Sequence, residues 1–373
     1  MSIVNLQTEP IYCRSPYIIE VNEPSNLGSK IEVFLWNEGD TPPTDPTYVL
    51  SKLIASPTKL QMLYNISHYI KEYISWIGND PAVVIFPEDS VYSEWCYCKV
   101  IRYKLEITGY TELDIKTYYC FDGYGYYEEG YNPELSIYGI KDNTTLTYWY
   151  DPDNIPSGVQ PFNNKNGDIR IIGTNGYEIK YTALESGTTF TVTLGGLGST
   201  YSYIVKFPAV TVANCDEGNK VEYMDNLGVV LATWTFKPQS ECKYEPVVCD
   251  FVNKLGAWQR VVFFKASRTS INTNKKEYNL FTRDVVDYNP IIEQKKVFNV
   301  NGTETIKVNT DWVDESFNDY VLKPLMLSEV IRLDNKPVKI NTAQTELFKN
   351  INKKMINYEL EFTYANAVIN NVV

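Results

Sequence analysis

Alternation of apolar and polar side chains with a period of two runs through most of this chain and leaves room for little besides β-structure. PYIIEVN (16–22), SKIEVFLWN (29–37), YCKVIRYKLEIT (97–108), DIKTYYCF (114–121), DIRIIG (168–173), GYEIKYTA (176–183), TTFTVTL (188–194) and STYSYIVKF (199–207) all carry it. Successive side chains on a strand face opposite ways, and each segment ends in Gly, Pro, Asn or Asp, so each reads as a half-buried strand. Helix is scarce. NISHYIKEYISWI (65–77) places Ile66, Tyr69, Ile70, Tyr73 and Ile74 at helical spacing with Ser67 as a cap, and 311–327 predicts a second helix capped by Asp311 and interrupted by Pro324.

At 373 residues the chain exceeds one core, since single cores stop growing near ~250–300 residues. The expected fold is therefore mainly β and multi-domain: immunoglobulin-like β-sandwich modules with one or two short helices. Residues 134–213 show turn signals roughly every 8–12 residues, the spacing of such a sandwich. CFDGYGYYEEGYNPE (120–134) reads as a β-hairpin turning at Asp122-Gly123, a dipeptide suited to the positive φ of a type I′ turn. Asn132-Pro133 then closes a first module, giving modules at 1–131, 132–213 and 214–373. A second hairpin is expected at Asp334-Asn335 within 328–341, and 356–373 reads as one long β-prone run.

Composition limits partners and compartment. The first residues, MSIVNLQTEPIYC, lack the basic and apolar regions of a signal peptide, and no apolar run approaches the ~18 residues of a membrane span, so synthesis in a cytoplasm and no membrane span are expected. The seven cysteines are an odd number and read as reduced core thiols; the sequons at Asn65, Asn143 and Asn301 then carry no glycan. Residues 1–241 hold 16 basic and 30 acidic side chains, net −14, whereas 242–373 hold 18 and 16, net +2. That split suggests modules with different neighbours and argues against a chain that coats DNA.

Equipment for catalysis is thin. The lone histidine, His68, lies inside the first helix with no GxSxG elbow in the chain, and Cys96 and Cys98 have no second pair at zinc spacing. GGLGST (195–200) lacks the lysine of a phosphate loop and reads as a hairpin turn. Asp311, Asp314 and Glu315 could serve glycoside cleavage, but acidic groups at a helix start usually serve its dipole. LGAWQRVVFFKASR (255–268) mixes Arg260, Lys265 and Arg268 with Trp258, Phe263 and Phe264, as a nucleic-acid surface would, yet alternates like a half-buried strand. No catalytic, metal or cofactor site is expected.

RSPYIIEV with PTYVLSKLIASP and YNISHYIKEYI, then FDGYGYYEEGYNPELS, FVNKLGAWQRVVFFKAS and NKKMINYELEFTYANAVINN resemble virion structural proteins of tailed bacteriophages that infect Bacteroidetes, including crAss-like and flavobacterial phages. The resemblance spans nearly the whole chain. It implies a sheet-rich component of a tail, collar or baseplate, made in the host cytoplasm and repeated around the tail axis. Its partners would be copies of itself in a ring and other tail or neck proteins, close to packaged DNA without specific binding. A host-glycan-binding fibre base or adhesin is the alternative, and a glycan-cleaving enzyme a distant third.

The 30 tyrosines suit surfaces that live half in water. Asp122, Gly123, Tyr124, Tyr126, Tyr127, Trp258, Phe264, Tyr358, Phe362 and Tyr364 are the candidate structural or interface residues. Tyr358, Leu360, Phe362 and Tyr364 fall on one face of a terminal strand, and Ala367–Val373, lacking charge, proline and glycine, is expected to pack against a neighbouring subunit.

Overall fold

The computed structural model describes residues 10–24, 26–37, 40–54, 60–76, 95–133, 136–149, 168–195, 202–208, 217–239, 243–280, 291, 293–342 and 356–369. Among the described residues 56% are strand and 8% helical, so the fold is mainly β, built from several sheets. Each of the eight alternating segments contains a strand.

The first unit is a five-stranded sheet in the order β1 (Ile11–Tyr12), β7 (Gly109–Phe121), β6 (Trp95–Glu106), β3 (Gly28–Trp36), β4 (Tyr48–Leu53). β1 runs parallel to β7 and the remaining pairs are antiparallel. A separate pair, β2 (Ile18–Val21) with β5 (Met62–Asn65), and helix α1 (Ser67–Tyr73) contribute Ile19, Val21, Met62, Tyr64, Ile70 to the core that this sheet covers. Within that core Cys96 lies directly opposite Cys120, and Cys13, Cys96, Cys98, Cys120 and, in the third unit, Cys249 are buried free thiols. Burial holds the Cys120 and Cys249 thiols well above their ordinary range, which keeps them protonated and unreactive. Cys215 and Cys242 lie outside the described residues. Helix α1 is shorter than the 65–77 periodicity predicts, and Ser67 is its first residue and not its cap: Ile66 stands at the N-cap without a side-chain bond, and the Asn65 side chain just before it accepts from the Ser67 amide and hydroxyl.

In the second unit a five-stranded sheet, β11 (Thr189–Thr193), β10 (Glu178–Ala183), β13 (Asn219–Met224), β14 (Val230–Gln239), β8 (Thr144–Trp149), faces the pair β9 (Asp168–Thr174) and β12 (Ser202–Pro208). β8 runs parallel to β14, so the sheet takes strands from both sides of residue 213. The GGLGST turn lies outside the described residues beyond Gly195.

The third unit is a seven-stranded sheet in the order β16 (Trp258–Phe263), β15 (Val247–Val252), β19 (Ile331–Leu333), β20 (Lys336–Ile340), β21 (Ile356–Tyr364), β18 (Lys295–Val313), β17 (Arg268–Asn279). Asp334 and Asn335 take φ of 46° and 65° between β19 and β20, so the hairpin read from the sequence turns there with both central residues at the positive φ of a type I′ turn. The second and third units share one apolar core, from Ile171 and Trp234 to Phe263 and Phe362.

The expected helix at 311–327 starts later. Asp311 belongs to β18, at φ 63° where the β18–β21 register shifts, and it pairs with Lys265 at 3.1 Å instead of capping. Asp314 caps, its carboxylate accepting from the Ser316 and Phe317 amides. Pro324 has no N–H to offer the Tyr320 carbonyl four residues back; a π-helical turn (Asn318–Leu322) precedes α2 (Lys323–Met326), and Gln259 Nε2 donates to that carbonyl at 2.9 Å. Among the described residues no helix is long and apolar enough to cross a membrane.

Candidate assembly surfaces

The tyrosine-rich stretch after β7 is a seam inside the chain and not a hairpin. No strand departs after Asp122-Gly123, and Gly123 is absent from the residues with positive φ. The chain there lies against the 253–257 loop: the Tyr124 amide donates to the Lys254 carbonyl at 2.9 Å, and the Arg14 amide donates to the Gly123 carbonyl at 3.0 Å. Gly123 faces Gly256, whose φ is 64°, so two backbones meet where a side chain on either would intrude. Asn132 also ties back to the first unit, its amide group accepting from the Ile18 amide and donating to the Ile18 carbonyl in place of a strand partner.

Arg170 of β9 locks the three units together. Its guanidinium stacks on Phe121 of the first unit with Cζ 3.8 Å from the ring centroid, and donates to the Gly256 carbonyl (2.7 Å) and the Leu255 carbonyl (3.0 Å) of the third. Around this point Trp76 meets Trp258 edge-on at 5.2 Å, and Arg14 donates to the Leu327 carbonyl at 2.9 Å.

Asp122 is 5% exposed in this seam. Trp76 Nε1 donates to its carboxylate at 2.7 Å, and the Cys13 thiol lies 3.6 Å away. Burial raises its pKa from 3.8, opposed by the Trp76 hydrogen bond and the charge of Arg14, with Glu329 and Lys71 contributing in opposite directions. A carboxyl whose pKa is higher folded than unfolded loses stability as pH rises from the unfolded value through the folded one. Asp122→Asn keeps an oxygen for Trp76 and removes the charge. The variant should therefore match the wild type near pH 3 and melt higher at pH 7, a difference read by thermal unfolding across pH; a pH-independent loss of stability would contradict the account.

At the far edge of the third sheet, β17 and the first half of β18 form a two-stranded ribbon. Every residue of β17 is exposed, and β21 stops pairing with β18 at Thr305, so residues 295–304 have only β17 beside them. Asn299, at φ 51°, sits where the β17–β18 register shifts. Ile271, Tyr278, Val297, Phe298 and Val300 are between 37% and 57% exposed, with Tyr278 and Phe298 edge-on at 5.6 Å. Two-stranded ribbons are marginal in water unless something covers them. At the ribbon's base the chain end returns: the Val368 amide donates to the Gly302 carbonyl, and the Asn301 side chain exchanges hydrogen bonds with Ile369. Residues 368–369 thus lie against this chain's own arm with Val368 and Ile369 about half exposed, while 370–373 lie outside the described residues.

A second apolar surface sits on the second unit, in the tight loop joining β13 to β14. Leu227 is 83% exposed, and Val229, Val230 and Leu231 follow at 55%, 45% and 38%. The loop is held firmly: one Asp225 carboxylate oxygen accepts from both the Leu227 and Val229 amides at 2.8 Å, and the Asp225 amide donates to the Val229 carbonyl. Two large apolar side chains, Leu227 and Val229, are thus presented on a fixed loop, with Val230 and Leu231 opening β14 beside it.

Of the candidate interface residues, Asp122, Gly123, Tyr124 and Trp258 lie in the seam between units. Phe264, Tyr358 and Phe362 are buried within the chain, Tyr364 is half-buried beside Lys336, and Tyr127 is fully exposed. Tyr126 borders a cavity of about 450 Å³ where the units converge, its ring flanked by Lys254 and Lys323 at 3.9 and 4.1 Å. The charges around that cavity balance, Lys141, Lys254 and Lys323 against Glu129, Asp142 and Asp319.

The remaining chemical candidates take structural roles. His68 is exposed and its ring lies tilted against that of Tyr69, centroids 3.9 Å apart. Arg260 makes a two-pronged pair with Asp250 at 2.6 and 2.7 Å, and Lys265 pairs with Asp311, so the basic groups of 255–268 are largely neutralised within the chain. Sequence reasoning missed both the ribbon and the 227–231 loop; consecutive apolar residues around Asp225-Asn226 and Gly228 were the available signal for the second. No protein-family model and no curated protein matches the chain.

Proposed function

We propose that the chain is a non-enzymatic structural component of a tailed-phage virion, a tail, collar or baseplate protein present in multiple copies around the tail axis. The observation that carries this reading is the β17–β18 ribbon, in which every residue of β17 and residues 295–300 of β18 are exposed beside an open edge. Such an element has no role in its own core, and an uncovered edge promotes uncontrolled pairing, so its exposure is accounted for by a neighbour in an assembly. Rigid joining of three sheet-rich units through Arg170 and the Gly123–Gly256 seam suits a part that holds neighbours in register. The phrase-level resemblance to Bacteroidetes-phage virion proteins supplies the particle.

Shortening the ribbon tests the reading. Asn274 lies opposite Asn301, so replacing residues 275–300 with an Asn-Gly turn closes the arm below its exposed half and leaves the 301–302 contacts with the chain end intact. The shortened protein should stay folded, with a melting temperature near that of the intact chain, while its copy number in purified virions falls roughly tenfold or more, equivalent to about 1.4 kcal/mol or more of lost association. Normal incorporation of the shortened protein, or absence of the intact protein from virions, would refute the assignment.

A further inference from the structure

The cavity where the units converge is bordered by three lysines, each held against a tyrosine ring on backbone that the fold fixes. Lys254 and Lys323 Nζ lie 3.9 and 4.1 Å from the Tyr126 ring centroid, and Lys141 Nζ lies 5.1 Å from that of Tyr320. The Lys141 carbonyl accepts from the Thr144 hydroxyl at 2.6 Å, that of Lys254 from the Tyr124 amide at 2.9 Å and that of Lys323 from the Leu327 amide at 3.2 Å. The formal charges there balance, but the hydrogen-bonding capacity does not. One Asp142 oxygen accepts from the Asn143 and Thr233 amides and the other from Asn143 Nδ2. Glu129 accepts from Lys254 at 2.5 Å and from the Tyr126 amide at 3.0 Å. The Asn253 and Gln259 side-chain oxygens are taken too, the first by the Leu255 and Ala257 amides and the second by Asn253 Nδ2. Lys141 and Lys323 meet no acceptor among the described residues, and Asp319 is the one lining carboxylate equally without a bond. Two uncommitted ammoniums, each with three N–H donors, thus face a cavity that offers a single uncommitted carboxylate.

We propose that this cavity binds a compact organic anion, a sugar-sized body whose carboxylate or phosphate is held by Lys141 and Lys323. An ammonium beside apolar walls with no acceptor inside the protein favours a charged acceptor from outside, since charge-assisted hydrogen bonds are about twice as strong as neutral ones. At about 450 Å³ the cavity has the size of a small-molecule site, ~300–1,000 Å³. A bare inorganic ion would leave most of it empty. Ile140, Leu255 and Pro324 supply an apolar wall for a body behind the anion, and the Ser136 hydroxyl, which accepts from the Tyr138 amide, keeps its proton to donate to that body. Lysines carried on fixed backbone and held against rings lower the ordering cost of binding. The site goes beyond the virion assignment and does not depend on it.

Calorimetric titration of the purified full-length chain with glucuronate, glucose 6-phosphate, glucose and inorganic phosphate tests it. The carboxylated sugar, the phosphorylated sugar or both should bind with a Kd of about 1 mM or below, the tighter of the two identifying the anion, and glucose at least ~10-fold more weakly. Lys141→Gln and Lys323→Gln should each weaken the better probe roughly tenfold, with melting temperatures near that of the intact chain. Lys323→Arg, which keeps the charge, should stay within about threefold of the intact chain. No binding of either charged sugar, glucose binding as tightly as its charged counterparts, or both glutamine variants binding like the intact chain would each overturn the site. A Lys323→Arg variant as weak as Lys323→Gln would assign the loss to packing and overturn the role of the ammonium. Inorganic phosphate binding as tightly as glucose 6-phosphate would show an adventitious ion only and overturn the organic ligand.

Discussion

Arg170→Ala is expected to separate the first unit from the rest and to cost about 3–5 kcal/mol, read as an earlier, separate unfolding transition. The guanidinium is 5% exposed and donates to two carbonyls, those of Leu255 and Gly256, while its face covers the Phe121 ring. Truncation strips both carbonyls of a charge-assisted donor in a place water reaches poorly, and each orphaned acceptor costs about 1–3 kcal/mol. It also removes the cation stacked on Phe121, worth about 0.5–2 kcal/mol. Arg170→Lys should recover little of this, because a single ammonium lacks the planar fork that serves two carbonyls and a ring together. Denaturant unfolding followed by aromatic fluorescence and by limited proteolysis at 10–133 checks the expectation. Cooperative unfolding at the wild-type midpoint would show that Arg170 holds nothing together.

What the sequence revealed and what it hid follow from burial. Strands such as β6, β10 and β21 have one covered face, so selection for a core left alternation that could be read directly: Tyr358, Leu360 and Phe362 are buried and Asn357 and Glu359 are exposed, as the pattern required. β17 has no covered face. Its residues Thr269 to Asn274 are polar on both sides apart from Ile271, and without a core to face they keep no alternation, so the ribbon looks like a loop until its pairing with β18 is seen. The Asp334-Asn335 turn was legible because its dipeptide directly sets positive φ, whereas Asp122-Gly123 has the same chemistry and adopts another conformation because packing against the third unit dominates there. Arg170 was invisible for a related reason: nothing in DIRIIG says that its polar position faces two other units instead of water.

Two glycines in one stretch separate the effects of backbone angle and of space. Gly130 sits at φ 70° with open room around it, whereas a Cβ on Gly123 would lie 2.5 Å from the Tyr12 ring and 2.7 Å from the Lys254 carbonyl oxygen. Neither neighbour can yield easily: Tyr12 is 3% exposed, and the Lys254 carbonyl already accepts from the Tyr124 amide at 2.9 Å. Gly123→Val should therefore force the two backbones apart and destabilise by about 2–4 kcal/mol, at the upper end of overpacking costs. Asparagine separates the causes, since it adds a Cβ at both positions. Gly123→Asn should destabilise nearly as much as Gly123→Val through the close approach, while Gly130→Asn, in open space but at φ 70° and ψ −152°, a region essentially only glycine occupies, should cost about 1–3 kcal/mol through backbone strain alone. The two melting curves measured side by side decide the matter. If Gly123→Asn melts with the wild type, the close approach of the first unit to the 253–257 loop is not what holds the glycine there, since its φ is not positive and demands no glycine.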